Sequence, residues 1–242
     1  MSATARLALA RTILRTAETR HGITTHTPQP LAPDPHYALI DAFHPLVGTH
    51  LHPGAIHRVT GAASITLALL IAASHNNARI AIIGASHLSM VAAHDLGVAT
   101  HNLIIVTQPA RHTPTIAAAC IDSAHITILG PQAVLSPSEH RALTARLRER
   151  GHVLVTTNPH AHAPIIMKAR APTWRGPEQG RYHLTDASWY VHAATRTTEH
   201  TAVLHLAHGR FTTTPTPAAR NTPPHVINHP HLTLAHSGTM GA

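Results

Sequence analysis

Three segments decide the fold of this chain: Arg79-Ile-Ala-Ile-Ile-Gly84, His125-Ile-Thr-Ile-Leu-Gly130 and His152-Val-Leu-Val-Thr-Thr157. Each is a short apolar run, which is typical of a strand buried on both faces of a parallel sheet. Stretches with helical character lie between them, including residues 89–96 and 137–150. Repeated β-α-β units of this length predict a parallel, doubly wound sheet with right-handed crossovers.

The helix over residues 137–150 carries the clearest boundary signals. Ser136 is suited to the N-cap, Pro137 to the first helical position, and Glu139 to the acidic member of a capping box. Gly151 is expected to end the helix in a left-handed conformation. Further strands are predicted at residues 56–60 and 103–107, and further helices at 64–74 and 115–120.

The alternation stops after Pro159, and strands are predicted at residues 165–170, 188–194 and 202–207, in an antiparallel arrangement. The expected fold class is therefore α/β, a mainly parallel sheet with a C-terminal antiparallel β extension. We expect an N-terminal helix over residues 3–20 and a linker within residues 1–35, the main domain over 36–211, and a disordered tail over 212–242.

The charge balance is strongly basic. The formal net charge is +8 with only 10 acidic residues, and Lys168 is the only lysine among the basic residues. A basic surface favours nucleic acid or an acidic partner. A general bias in amino-acid composition, without any role in binding, explains the same charge balance equally well.

Composition also excludes several classes of protein. The 26 histidines are scattered without the spacing of a closed metal site, so no metal is expected. With Cys120 as the single cysteine, no intrachain disulfide forms, which fits a reducing cytosol. The arginines near the N-terminus interrupt any signal-peptide core, and the longest apolar stretch is too short to cross a bilayer. We expect a cytoplasmic protein.

Several motifs, taken in their order along the chain, resemble a known family. Ala81-Ile-Ile-Gly-Ala-Ser-His-Leu88, then Asp95-Leu-Gly-Val98 and Asn102-Leu-Ile-Ile-Val-Thr-Gln-Pro109, resemble the RecA recombinase family in order and spacing. The resemblance extends upstream to Val59-Thr-Gly-Ala-Ala-Ser-Ile-Thr-Leu-Ala-Leu69, where that family has a strand, a phosphate loop and a helix. It covers roughly residues 45–158 and implies a RecA-like fold.

The phosphate loop departs from the family pattern. Such a loop needs glycines to cradle phosphates, a lysine for the β and γ oxygens, and a hydroxyl for magnesium. Gly61 remains, but no Gly-Lys pair follows it. Ser64 and Thr66 could keep a hydroxyl near the helix start, although capping and a helix-interior position explain them more simply.

The other catalytic positions of the family are also changed. The strand at residues 125–130 lacks the acid that normally coordinates the metal ion. Ser86 stands where the family has its catalytic glutamate, and Asn158 stands at the position of an amide that senses the γ-phosphate, or serves as a turn former before Pro159. We therefore expect no cofactor and no catalytic residues, and interpret Gly61, Ser64, Thr66, Ser86 and Asn158 as a degenerate nucleotide loop.

A RecA-like domain without the loop lysine, followed by a β extension and a tail, resembles the actinobacterial ImuA-type, SulA-related accessory factors of SOS mutagenesis. That resemblance implies a non-catalytic adaptor in damage-induced translesion synthesis, associated with the nucleoid. The partners it implies are an ImuB-like Y-family protein, an error-prone polymerase and RecA.

Two other functions stay open. Basic residues interleaved with aromatics suit single-stranded DNA, and the best stretch contains Arg170, Trp174, Arg175 and Arg181. A strand pair whose aromatic rings are core explains this stretch as well. An enzyme is the third possibility, but no nucleophile–base set or carboxylate pair is evident, and the arginines of residues 137–150 are expected to form a solvated face.

Overall fold

A computed structural model describes residues 34–159, 161–176 and 186–216. They form one nine-stranded sheet in the order β3-β2-β4-β5-β1-β6-β7-β8-β9. The strands are β1 (Ile56–Thr60), β2 (Ile80–Ile83), β3 (Leu103–Val106), β4 (Ile126–Leu129), β5 (Val153–Thr156), β6 (Ile165–Arg175), β7 (Asp186–Ala194), β8 (Glu199–Ala207) and β9 (Arg210–Pro215). The helices are α1 (His44–Val47), α2 (Ala63–Ala68), α3 (Ile71–His75), α4 (Met90–Asp95), α5 (Thr113–Ser123) and α6 (Pro137–Arg150).

The strand pairing confirms the predicted fold class. β1 to β6 are parallel, and β6 to β9 form an antiparallel extension. β2, β4 and β5 are buried along their whole length, because helices cover both faces of the sheet there. This is a RecA-like, doubly wound sheet with a β extension.

The two faces of the sheet are covered differently. On the first face, α1 to α4 pack in one large core that also takes in the extension, where Trp189 is fully buried. On the second face, α5 and α6 bury a smaller cluster, with Leu143 and Leu147 of α6 resting on the strands. In the described part of the chain, that cluster contains no residue of β6, β7, β8 or β9.

The boundary signals of α6 are confirmed in detail. Ser136 and Glu139 form the reciprocal capping box, Pro137 occupies the first turn, and Gly151 ends the helix with φ +66°. The first amide N–H groups of a helix have no acceptor in a preceding turn, and the capping box supplies acceptors for them. Residues 136–139 therefore fix where this helix begins.

Two predicted boundaries are wrong. The helix expected over residues 64–74 is two helices, because the chain tightens at its middle, where Leu70 N donates to Leu67 O at 3.0 Å. Residues 212–215, which are predicted to belong to a disordered tail, pair with β8 as part of β9. The predicted N-terminal helix and residues 217–242 of the predicted tail lie outside the described residues.

No helix in the described ranges is both long and apolar enough to cross a membrane.

Candidate functional site

The carboxyl ends of the parallel strands meet at one edge of the sheet, where α/β proteins of this type bind their ligands. The turn after β1 is the counterpart of the phosphate loop, and it is short: β1 ends at Thr60 and α2 begins at Ala63. Gly61 between them has φ +98°, and a Cβ there would lie 2.0 Å from the carbonyl oxygen of Ala169 on β6. The turn is therefore pressed against the neighbouring strand.

A small cavity remains beside this turn. It measures about 250 Å³ and is lined by Gly61, Thr66, His87 and Thr157 among others, with no carboxylate or lysine in its lining. The Thr157 hydroxyl is buried and has no hydrogen-bond partner in the described chain. Burial lowers the pKa of His87, which disfavours a positive charge on its ring. The cavity is smaller than the roughly 300–1,000 Å³ typical of small-molecule sites.

The ends of β2 and β4 close the place where the family has its acids. A Cβ on Gly130 would lie 2.2 Å from the Gly84 carbonyl oxygen, and one on Gly84 would lie 2.6 Å from the Ala133 amide nitrogen. Gly130 N donates to Ile83 O at 2.8 Å, and Gln132 N to Gly84 O at 3.0 Å. The two strand ends are thus joined backbone to backbone.

The degenerate loop residues do not form one site. Gly61 and Thr66 line the small cavity, Ser86 is exposed in the turn after β2, and Asn158 lines a separate groove. Ser64 does not cap α2, because the N-cap is Ala62 and makes no side-chain hydrogen bond. Thr66 is helix interior, as the simpler interpretation predicted.

Lys168 lies nearer to the loop than its sequence position suggests. Its Cα pairs with that of Thr60, the last residue of β1, because β6 runs parallel beside β1. The side chain is exposed and is not part of the cavity lining. Strand pairing thus brings the only lysine of the chain to the edge of the former phosphate loop without directing it inward.

A groove of about 830 Å³ lies on the second face beside this edge. One wall is α6, the floor is apolar, and the other wall is the segment after β5 together with the β7–β8 hairpin. Arg141 and Arg148 project from α6, and Arg196 from the hairpin. Sequence reasoning assigned the α6 arginines to a solvated face and did not single out Arg196.

The arginines of α6 divide into two groups. Arg146 and Arg150 both pair with Asp122 of α5, which lowers the pKa of that carboxyl through the Arg146 hydrogen bonds and the charges of both guanidinium groups. Arg141 and Arg148 have no carboxylate partner in the described chain. Arg141 and Arg148 are exposed and Arg146 is partly exposed, as expected for a solvated face, and Arg146 is paired with a carboxylate within that face.

The predicted nucleic-acid contacts are split between the two faces. Arg170 and Tyr190 are paired on the second face, where Tyr190 is 55% exposed. Trp174 lies on the first face, with its ring edge-on to Trp189 at 5.6 Å between centroids. Arg175 pairs in register with Asp186 at the far end of the hairpin, and Arg181 lies outside the described residues.

Among the described residues, β3 is a lateral edge strand of the sheet and pairs with β2 on one side only. Ile104 and Ile105 are 43% and 46% exposed, and Val91 of the neighbouring helix α4 is 72% exposed. An apolar edge strand with free backbone groups is a surface that can take up another chain.

Among the described residues, no group of three or more histidine, cysteine, aspartate or glutamate side chains could hold a metal ion.

Comparisons with known proteins cover the same core. A family model described as the MT3502 N-terminal domain matches residues 45–162. The chain is 27% identical over 109 residues to Rv3395c, an uncharacterized protein of Mycobacterium tuberculosis, a match that covers 45% of this chain and 53% of the relative. The chain thus spans about half the length of the curated relative it matches. Its RecA-like core is similar to the MT3502 N-terminal domain.

Proposed function

We propose that this chain is a non-catalytic adaptor in DNA repair, acting through protein partners in damage-induced translesion synthesis. The observation that carries the proposal is the closed carboxyl edge. The positions at which the RecA family places its phosphate loop, metal-binding acid and catalytic glutamate are here a pressed turn, a glycine packed on backbone and an exposed serine. A fold that has lost these groups keeps its surfaces for binding.

The free β3 edge supports a role in binding proteins. Burying Ile104, Ile105 and Val91 against a partner removes apolar surface from water, and the unpaired backbone of β3 can add hydrogen bonds to an incoming strand. The ImuB-like Y-family protein, the error-prone polymerase and RecA are partners that the sequence resemblance implies. An actinobacterial relative without an assigned activity is compatible with this role.

The test is co-purification of the full chain with the ImuB-like and RecA proteins of its own host, with and without ATP. We expect capture of at least one partner that is equal in both conditions. Ile105→Glu is expected to lower capture, whereas Ile105→Val retains apolar surface and serves as the matched control. If neither protein is captured, the adaptor function is contradicted.

Deleting residues 1–19, before Arg20, tests the predicted N-terminal helix as a docking element. We expect loss of partner binding while circular dichroism shows an unchanged core. Retained capture by the truncated chain would remove that helix from the interface.

Direct binding of single-stranded DNA is the second candidate, and one observation favours it. On the second face of the extension, Tyr190 lies opposite Arg170, and the next same-face pair is His192 opposite Lys168. The Tyr190 ring is 55% exposed and open for base stacking. Anisotropy with a dT20 oligonucleotide should then show affinity that falls steeply with salt and is lost in Tyr190→Ala. No binding at low salt would exclude this function.

A further inference from the structure

The groove on the second face has the form of a site for one helix. Its α6 wall presents Pro137, His140, Arg141, Thr144 and Arg148, which follow helical spacing along one side. α6 has 14 residues, so the wall is about 21 Å long. The floor is apolar and includes Ile56, Leu129, Leu135 and Leu154.

The opposite wall is held in place by hydrogen bonds. Arg58 of β1 donates to the carbonyl oxygens of Pro159 and Ala161 at 3.2 and 2.9 Å, which fixes the segment after β5. The hairpin that carries Arg196 is closed by Thr195 N donating to Thr198 O at 2.8 Å. The groove therefore exists before any ligand arrives, which reduces the entropic cost of binding.

The charge of the groove is of one sign. Its lining contains Arg141, Arg148 and Arg196 and no carboxylate. Glu139, the acid closest in sequence, is bound to the backbone and hydroxyl of Ser136 in the capping box. Cationic walls above an apolar floor fit a ligand that is both acidic and amphipathic.

The termini of this chain do not fit the groove. Residues 1–33 contain one acid, Glu18, against four arginines, and residues 217–242 contain no acid at all. Nucleic acid fits poorly as well, because the lining has no Phe, Tyr or Trp ring for base stacking, its only aromatic rings being the imidazoles of His140 and His162, and the floor is apolar.

We propose that the groove binds an acidic amphipathic helix of a partner protein, with its apolar stripe on the floor and its carboxylates between Arg141, Arg148 and Arg196. This inference rests on the proposed adaptor function and names the chemistry of a partner segment. It concerns a surface separate from the β3 edge, so the two can be altered independently.

The test is fluorescence anisotropy with a labelled 14-residue peptide whose leucines follow i, i+3, i+4, i+7 spacing and whose other positions are glutamate, a length of about 21 Å as a helix. Arg141→Glu with Arg148→Glu is the groove variant. Arg111→Glu with Arg210→Glu is the matched control, because it makes the same change in net charge at exposed residues that do not line the groove.

We expect saturable binding to the unmodified chain, at least tenfold weaker binding to the groove variant, and less than a twofold change in the control. A peptide with lysine in place of glutamate, or with serine in place of leucine, should not bind. Equal weakening by both double variants, no saturable binding of the acidic peptide, or a dT20 oligonucleotide that binds with the same tenfold dependence on Arg141 and Arg148 would each overturn the proposal.

Peptide binding and host-protein capture separate the two proposals. Capture of the host partners by a chain that does not bind the peptide contradicts the groove assignment alone. Peptide binding that depends on Arg141 and Arg148, with neither host protein captured, contradicts the adaptor function alone.

Discussion

The two faces of the sheet are covered to different extents. The first face is closed by α1 to α4, and its core continues under the β extension as far as Phe211 of β9. Of the described elements, α5 and α6 alone cover the second face, which leaves the cationic groove and the face around Tyr190 open. The closed face and its carboxyl edge are therefore expected to be intolerant of change, whereas the open face should accept change without loss of the fold.

The largest effect is expected where the former phosphate loop presses on β6. Gly61→Ala should lower the free energy of unfolding by about 3 kcal/mol, because it combines a left-handed φ with a Cβ against the Ala169 carbonyl. Gly151→Ala has a left-handed φ but no neighbour within 4 Å, and should cost about 1 kcal/mol. Urea denaturation of both variants checks this, and equal costs would contradict a pressed turn.

The burial of His57 on the closed face predicts how the free energy of unfolding depends on pH. Burial lowers its pKa from 6.5 to about 3, with a smaller contribution from His52, while its ring accepts a hydrogen bond from His52 N at 3.1 Å. Between these values the unfolded chain binds a proton that the folded chain does not. His57 therefore contributes full stability above pH 6.5, and about 1.4 kcal/mol is lost for each pH unit below it.

Denaturation at several pH values, with His57→Gln as the neutral control, measures this slope. The variant should show a shallower loss of stability between pH 6.5 and pH 4 than the unmodified chain. Identical slopes would mean that His57 is protonated in the folded protein.

The open face should show the smallest effect. Arg141→Gln with Arg148→Gln is expected to change the free energy of unfolding by less than about 0.5 kcal/mol, since neither side chain has a carboxylate partner in the described residues. Leu147→Ala, on the buried side of the same helix, should cost about 3 kcal/mol. A large loss in the arginine variant would show that these side chains hold the fold rather than a ligand.

Local signals made much of this fold predictable. The buried strands are continuous apolar runs, and the start of α6 is set by Ser136, Pro137 and Glu139 within a few residues. The absence of the acids and of the loop lysine could likewise be recognised from sequence. Each of these groups is expected directly after a particular strand, and those strands can be identified along the chain.

What could not be predicted depends on long-range contacts. Arg196 and Arg148 are far apart in sequence and line the same groove only because β6, β7 and β8 extend the sheet outward from β1. A bulge in β6 between Arg170 and Thr173 adds one residue and moves Trp174 to the face opposite Arg170. Strict alternation along the strand would have kept both on one face.

Isothermal titration with Mg²⁺ and ATP tests the central claim, that the carboxyl edge no longer forms a nucleotide site. A pressed turn at Gly61 and a cavity of about 250 Å³ without lysine or carboxylate predict no heat of binding at millimolar ATP. Saturable heat with a dissociation constant below about 1 mM would contradict it, and the chain would then have to be treated as a nucleotide-dependent protein.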